Sequence, residues 1–593
     1  MAKRWRVHPH DPDRIEALAR AARIPAVVAQ LLICRQITDP VRARDFLDPK
    51  LVSLGDPACL PGCSQAAARI QEAITAGKRI IVYGDYDVDG MTGTALLWLC
   101  LRLLGAEVSY YVPHRLEEGY GLSVEAVRTL ASNKTALLVT VDCGINSLEP
   151  VAVARQLGMD VVVTDHHEPG PELPDAVAVV HPRLAGGDPR AANLSGSGVA
   201  FKLAWALCQQ AHGAKKVSPR MKDFLLQAVG LAAMGTVADV VPLLDENRVL
   251  VRHGLASLSR LPTLGLATLL RVAKLDGKRQ LDAEDVAFAL APRLNAAGRL
   301  GQPQLAVELL VTDRQDRANE LAQYIDQLNA SRQTLERSIF LAANKQAKED
   351  FDPEVHAALV LADRGWHAGV IGIVAGRLAE KYHRPVVLIS WDQLGVKPGV
   401  GSARSVPGFN LHEALGACSE HLVAHGGHAA AAGLKIEERR LEQFRVDFCQ
   451  YASLQLTAGQ RVAELKIDAE VPFGGFTAQT VEQMEKLAPF GHSNNRPLLC
   501  TTEVTLAEPP RAMGGGGRHL SMRLSQYGTT FRAVAFGGAD WAEPLTQLQG
   551  PIDVAFRPVI NAFRGQRNVE LQVVDWRPTG SASDEPLGRP SED

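Results

Sequence analysis

Asp85, Asp87 and Asp89 alternate within five residues, and each brings an oxygen ligand. They follow Ile80-Ile81-Val82-Tyr83, a short β-branched and aromatic run of the kind that forms a buried strand. Gly90 ends the extended stretch, and Thr92 to Leu104 resumes with apolar residues at helical spacing. Carboxylates at such a strand-to-helix turn stand on the carboxyl edge of a parallel sheet, where open α/β folds bind ligands. Three of them this close raise one another's pKa unless a cation lies between them. A divalent metal is the simplest cation for the place. A calcium loop fits poorly: with Asp85 as position one, the ninth residue is Gly93 and the twelfth Leu96, so no Glu closes it. A solvated acidic turn is the plain alternative for this segment taken alone.

Two more apolar runs end in the same way. Ala136 to Val141 leads into Asp142-Cys143-Gly144, and Val161 to Thr164 leads into Asp165-His166-His167. Three predicted strands therefore deliver acids, and in one case two imidazoles, at one end. Asp239 follows the small, apolar segment Gly230 to Thr236 and lies between Ala238 and Val240. A carboxylate in apolar surroundings must be paired or metal-bound, because burying it free costs several kcal/mol. A helix cap or a salt-bridged core Asp is the competing reading.

These residues must be positioned by a large chain. At 593 residues, a prior of roughly 100–200 residues per domain gives three to five units. Apolar content of 46% with 22% charged residues is ordinary globular composition, and the net charge of −3 excludes a chain that grips polyanions by bulk basicity. The nine cysteines include no C-x-x-C pair, and Cys59 and Cys63 have no second pair to complete a zinc site. Free thiols suit a reducing cytosol. Met1 to Arg6 is basic and Ile24 to Cys34 apolar, but Asp11, Asp13 and Glu16 separate them, Gln30 interrupts the apolar run, and no small-residue cleavage site follows. A soluble, cytoplasmic protein is expected.

Residues 1–50 read as helical and amphipathic. Asp313 to Lys348 has no Gly or Pro and carries Leu321, Ile325, Leu328, Leu335, Ile339 and Ala342 at spacings of three and four, with Arg332 at the one skipped position. That predicts a helix of about 36 residues, roughly 54 Å long, of the length that joins two lobes. Its polar stripe, with Asn329, Arg332 and Gln333, is expected to face solvent. A second α/β unit follows: strands at Ala357 to Leu361 and Pro385 to Ile389, a helix from Gly369 to Tyr382, then glycine-rich turns at Gly401 to Ser405 and Gly426 to Gly433. Such turns suit backbone N–H contacts to phosphate. From about Ala463 to Arg577 short strands predominate, at Thr501 to Leu506, Thr530 to Phe536, Ile552 to Phe556 and Val569 to Val574. Between Arg511 and Arg567 seven arginines stand against three acids, interleaved with Tyr527, Phe531, Phe536, Phe556 and Phe563. This fits an OB-like barrel that stacks bases, and equally an ordinary small β-domain.

Taken in order, Tyr83 to Gly90, Glu118-Gly119-Tyr120-Gly121, Val141 to Gly144, Asp165-His166-His167, Gly235 to Pro242, Pro292 to Arg299, Gly401 to Ser405 and Gly426-Gly427-His428 resemble the DHH phosphoesterase superfamily. Within it the match is to the bacterial single-strand-specific exonucleases, over about residues 20–577. Ala403 departs from the pattern where many relatives are expected to carry Gly, a small change. The resemblance implies a multidomain α/β fold: a parallel-sheet DHH lobe (51–312), a long connecting helix (313–348), a smaller DHHA1 lobe (349–455) and a C-terminal OB-like β-barrel (456–577), after an N-terminal helical segment (1–50) and before a disordered tail (578–593).

It also implies two divalent cations, Mn2+ or Mg2+, since oxygen-rich sites with one imidazole suit these ions. Asp142 would bridge them, Asp87 with Asp85 would hold one, and Asp89, His166 and Asp239 the other. Asp85 and His167 are expected in the chemistry, His167 touching the scissile phosphate or, alternatively, orienting a ligand. Arg115, Arg293, Arg299, Ser402, Arg404 and Ser405 would form a terminal-phosphate pocket, with Asn295 and His428 along the same path. The implied reaction is 5′→3′ release of 5′-mononucleotides from single-stranded DNA in recombination and repair. Implied partners are a single-strand-binding protein and a RecQ-type helicase. Two rivals are weighed against this. Hydrolysis of short oligoribonucleotides or cyclic dinucleotides needs neither the long helix nor the OB-like region. A non-catalytic helicase-associated scaffold would not need the full ligand set that is present.

Overall fold

The computed structural model describes residues 3–114, 118, 121–213, 216–352, 354–457, 459–563 and 566–581. Arg115, Gly119 and Tyr120, and the tail beyond Ser581, lie outside them. The chain forms two compact units, Leu54–Ala463 and Met1–Ser53 with Glu464–Asp593.

In the first unit, β1 (Ile80–Gly84), β2 (Val108–Tyr111), β3 (Leu137–Val141), β4 (Asp160–Thr164) and β5 (Ala178–Val180) make one parallel sheet, ordered β2-β1-β3-β4-β5. β1 and β3 are buried throughout, which is why they read as unbroken apolar runs rather than alternating ones. The strand order reverses between β1 and β3, and in a doubly wound sheet that switch point opens a crevice at the carboxyl ends. Ile80 pairs with Leu137 and Gly84 with Val141, so β1 and β3 end level. Beyond the sheet edge, Asp85 N–H donates to Val141 O at 3.2 Å, Asp142 N–H to Thr164 O at 3.0 Å and Asp165 N–H to Val180 O at 3.2 Å. The ladder thus extends one residue past each strand and holds each acid at the rim.

Three helices frame the rim. Val88–Leu103 starts at Asp87, whose carboxylate caps it by accepting from Gly90 N–H at 3.0 Å. Gly196–His212 is capped by Ser195 and ends at Gly213 in the left-handed conformation. Pro219–Ala238 runs to Asp239. The long helix spans Gln315–Asp350, 36 residues, with Asp316 in its first turn and Lys348 in its last, as the helix dipole favours. Contrary to the solvated stripe expected, Asn329 and Arg332 are buried. Arg332 stands at the skipped apolar position, so its stem continues the buried stripe. Its two Nη groups donate to Asn329 Oδ1 at 2.9 Å and Glu336 Oε2 at 2.6 Å.

The second sheet of this unit contains β6 (Leu359–Asp363), β7 (Val386–Ser390), β8 (Gly399–Arg404), β9 (Leu422–Gly427) and β10 (Ala431–Ile436), in the order β9-β10-β8-β7-β6. Gly401 to Ser405, expected as a turn, lies mostly in the central strand β8, with Ser402 opposite Leu388 and Gly433. Glycine serves packing there: a Cβ on Gly401 would lie 2.6 Å from Leu434 Cδ1.

In the other unit, the N-terminal segment is not purely helical. Arg4–Val7 pairs in parallel with Glu464–Ile467, and the helices Pro12–Ala22, Ala26–Ile33 and Pro40–Leu47 follow. Strands Leu499–Met513, His519–Gln526, Thr529–Ala535, Gln566–Pro578 and Ile552–Phe563 pair in that order, and Ile552–Phe563 returns to Leu499–Met513 to close a five-stranded barrel. Phe556 is fully buried against Phe473 and Phe476, so it builds the core; Tyr527 and Phe536 are the exposed aromatics of the expected set. The side chain of Phe563 lies outside the described residues.

Candidate active site

The rim of the first sheet gathers seven titratable side chains from four segments. Asp142, after β3, has φ +63, a left-handed conformation that Asp tolerates better than most residues and that turns the chain sharply at the strand end. Its Oδ1 stands 3.0 Å from His166 Nε2, and His166 Nε2 stands 3.5 Å from Asp239 Oδ2 and 4.0 Å from Asp89 Oδ2. Asp85, Asp87 and Asp142 offer ligand atoms within 4.8 Å of one another; so do Asp89, His166 and Asp239, and so do Asp142, His166 and His167. Asp142 is shared by two of these groups.

Small residues make the convergence possible. A Cβ on Gly196 would lie 2.5 Å from Asp142 Oδ1, and one on Gly235 would lie 2.3 Å from Asp89 Oδ1. Asp89 is buried, but Gly196 N–H donates to its Oδ2 at 2.6 Å and Ser197 N–H to its Oδ1 at 3.0 Å. These amides open the helix Gly196–His212, whose dipole favours an anion there. Asp239 has the opposite setting: it ends a helix, where the dipole disfavours a negative charge.

The electrostatics follow from crowding. Burial, then the charges of Asp89, Asp87, Asp239 and Asp85, push Asp142 well above the usual carboxylate range. Burial and the same neighbourhood raise Asp239 to about 9, and burial with Asp89 raises Asp87. Burial lowers His166 to about 4, so its imidazole is neutral at pH 7. His167 is different. Burial opposes its charge, but the hydrogen bond and charge of Asp165 outweigh that and raise its pKa.

Asp165 is buried and holds its neighbours through both oxygens. Oδ1 accepts from His166 N–H at 2.7 Å and His167 N–H at 3.1 Å and meets His167 Nδ1 at 2.7 Å, while Oδ2 accepts from Ile145 N–H at 2.9 Å. Burial alone would raise its pKa; the His167 ring and these amides instead bring it to about 2. His181, the residue after β5, adds a bond from its Nε2 to His167 O at 2.7 Å.

The donor set fits divalent cations. His166 Nε2 and Asp239 Oδ2 are buried without a hydrogen-bond partner, they face each other, and the surrounding carboxylates repel until positive charge arrives. Oxygen-rich ligation with one imidazole suits Mn2+ or Mg2+.

The DHH family, N-terminal domain matches residues 79–232, the DHHA1 domain residues 353–453 and the RecJ OB domain residues 467–575. The single-stranded-DNA-specific exonuclease RecJ of Bacillus subtilis is 36% identical over 574 residues, which are 96% of this chain and 70% of that protein. The chain belongs to the RecJ family. The RecJ of Thermus thermophilus is 38% identical over 537 residues, covering 90% of this chain and 73% of that protein. The crystal structure of RecJ in complex with Mn2+ from Thermus thermophilus matches with a TM-score of 0.81 at 34% identity, over 98% of this chain and 81% of that one.

The other residues expected at a RecJ-type site are linked to the rim through close helix contacts. The helix Ala291–Arg299 rests on the acidic turn: a Cβ on Gly298 would lie 2.3 Å from Tyr86 O. On that helix Arg293 donates to Asp326 Oδ1 at 2.9 Å and Ala289 O at 2.7 Å, and Asn295 is half-buried. Arg299 donates to Gly369 O at 3.2 Å, in the first turn of the helix Ala368–Tyr382. That helix lies on β8, where a Cβ on Gly372 would meet Ser402 Oγ at 2.8 Å and an Arg404 Nη at 3.0 Å. Arg404 Nη1 donates to Ser402 Oγ at 3.1 Å. Ser405 turns inward, donating to Val406 O and Phe409 O, so its hydroxyl is committed to the backbone. His428 is exposed in the turn between β9 and β10. Arg115 lies outside the described residues.

Sequence reasoning about the RecJ-like site passed over the roles of Asp165, His181 and the Gly196–Ser197 amides. Asp165 carried a signal, since it belongs to the same acid-imidazole triplet. Backbone amides carry none, because every residue has one.

Proposed function

We propose that this RecJ-family chain is a divalent-cation-dependent exonuclease that degrades single-stranded DNA from its 5′ end to 5′-mononucleotides, in recombination and repair. The observation that carries this reading is the meeting of Asp87, Asp142, His166 and Asp239, from four separated segments, at the switch point of one parallel sheet. When bound, a pair of divalent cations, Mn2+ or Mg2+, supplies charge neutralisation and Lewis acidity for phosphodiester hydrolysis. In this reading Asp85, Asp87 and Asp142 hold one cation, and Asp142, Asp89, His166 and Asp239 hold the other.

The chain's own groups do the remaining work. Neutral His166 offers the Nε2 lone pair. His167, whose charged form Asp165 favours, has Nδ1 committed and presents Nε2–H to an oxygen of the scissile phosphate. Arg299, Ser402 and Arg404, with Arg293 and Arg115, receive the terminal phosphate, for which the planar arginine fork is suited, while Ser405, its hydroxyl committed to the backbone, shapes the turn beside them. Asn295 and His428 line the approach. The barrel, with exposed Tyr527 and Phe536, takes the strand beyond the cleavage point by stacking.

A single-strand-specific enzyme needs unwound ends, so a RecQ-type helicase and a single-strand-binding protein are the proposed partners. Cytoplasmic location is part of the same reading: all nine cysteines are thiols rather than disulfides, and no described helix is long and apolar enough to cross a membrane.

Incubation with Mn2+ and 5′-phosphorylated, 3′-labelled oligonucleotides tests the proposal. Single strands should yield mononucleotides from the 5′ end while blunt duplexes persist. Equal loss of both, or cleavage confined to dinucleotides, would overturn it.

A further inference from the structure

Between the Asp89 cradle and the helix that ends at Asp239 lies a cluster of three hydroxyls, Ser195, Ser197 and Thr236, all fully buried. Ser195 Oγ is 3.1 Å from Ser197 Oγ and 3.1 Å from Thr236 Oγ1. Thr236 donates to Ala232 O at 2.7 Å, and Ser197 donates to the same carbonyl at 3.1 Å. Ser195 Oγ accepts from Gly198 N–H at 3.2 Å.

Counting protons gives the cluster a direction. The hydrogens of Thr236 and Ser197 are both spent on Ala232 O. The Ser195 hydroxyl must therefore donate to one of their oxygens, and two contacts, Ser195 with Thr236 and Ser197 with Ala232 O, cross from the start of one helix to the last turns of the other. Leaving a buried hydroxyl unpaired is costly, so the two helices are held to one relative position rather than a range.

What that position sets is the metal rim. Ser195 immediately precedes Gly196, and the Gly196 and Ser197 amides hold both oxygens of Asp89. Thr236 lies three residues before Asp239. Gly235 permits the approach, since a Cβ there would stand 2.2 Å from Ser197 Oγ and 2.3 Å from Asp89 Oδ1.

We infer that Thr236 and Ser195 are positioning residues that fix the separation of Asp89 and Asp239, and so set the affinity of the cation held by Asp89, His166 and Asp239. The inference rests on the two-cation reading above. Groups that hold a metal ligand in place change metal affinity by about 10–100-fold.

Mn2+ titration of the full-length protein, followed by calorimetry and by the electron-spin-echo signal of the 14N-coupled, imidazole-ligated ion, tests it without recourse to activity. Thr236→Val keeps the shape and deletes the hydroxyl; it should weaken the 14N-coupled ion by about tenfold or more and leave the other ion near its parent affinity. Thr236→Ser should restore binding. Should Thr236→Val fail to fold, Ser195→Gly deletes the link from the other side with a residue that helix caps accept. Parent-like Mn2+ binding in Thr236→Val or Ser195→Gly, equal weakening of both ions, or no rescue by Thr236→Ser would overturn the inference. A parent protein that binds no Mn2+ would instead end the two-cation reading itself.

Discussion

His167 Nδ1 meets Asp165 Oδ1 at 2.7 Å, and the same oxygen accepts the backbone N–H of His167. Ring and backbone are thus fixed by one carboxylate, which supports the acid-imidazole cluster from behind.

Asp165→Asn keeps the shape of that support and removes its charge. The His167 pKa should fall, since the Asp165 hydrogen bond and charge are the largest of the effects that raise it, ahead of Asp85 and Asp87. Turnover should drop about 10–100-fold with little change in KM, and the alkaline limb of the rate profile should move to lower pH. Steady-state kinetics between pH 6 and about pH 9 read both, the ordinary imidazole value being about 6.5. An unmoved limb would contradict a cationic role for His167.

Asp142 is crowded by four other carboxylates, so its presence works against the metal-free fold. Asp142→Asn is expected to abolish turnover and yet raise the metal-free melting temperature, as functional sites often do when disarmed. Calorimetry without added metal and a nuclease assay with Mn2+ test the two halves. A lower melting temperature would show that the cluster is not a source of strain.

Protons and cations compete for the same carboxylates. Folding raises the Asp239 pKa to about 9, against an unfolded value of about 3.9. A group raised in this way contributes stability at low pH and loses it as pH climbs through the folded value. Metal-free protein should lose this contribution across that window, and Mn2+ should restore it. The rise in melting temperature on adding Mn2+ is expected to be larger at pH 8 than at pH 6. Equal shifts at the two values would argue against carboxylate ligation.

Arg404 stands beside Ser402, at the far end of the chain of contacts that starts at Tyr86. Arg404→Ala should lower kcat/KM on 5′-phosphorylated strands by about 10–100-fold, the range of a charge-assisted hydrogen bond. Strands with a 5′-hydroxyl should lose much less. Identical losses on both would remove Arg404 from the phosphate pocket.

Phe536 is 63% exposed on the barrel and lies edge-on to His519 with ring centroids 5.5 Å apart. Phe536→Ala should weaken binding of long single strands by about 1–3 kcal/mol and leave the shortest substrates unaffected. Fluorescence anisotropy over a length series distinguishes this from a loss at the catalytic rim.

The chemistry of this chain was legible in residue type and order. Apolar runs ending in Asp85, Asp142 and Asp165 declare a parallel sheet with an acidic rim, because period and burial are local properties of the chain. The stripe from Leu321 to Ile339 declares the long helix for the same reason. Position was another matter. That Asp89 is held by Gly196 and Ser197, more than a hundred residues away, depends on backbone groups every residue carries. Spacing did not reveal that Arg332 is buried, because a charge enters a core stripe only when partners such as Glu336 and Asn329 are folded against it. Nor did glycine content distinguish a phosphate turn from the packed strand holding Ser402, since small residues serve both. Sequence alone determined which acidic and imidazole groups this protein carries; tertiary structure decided which of them meet, because distance between remote segments is set by packing and not by order along the chain.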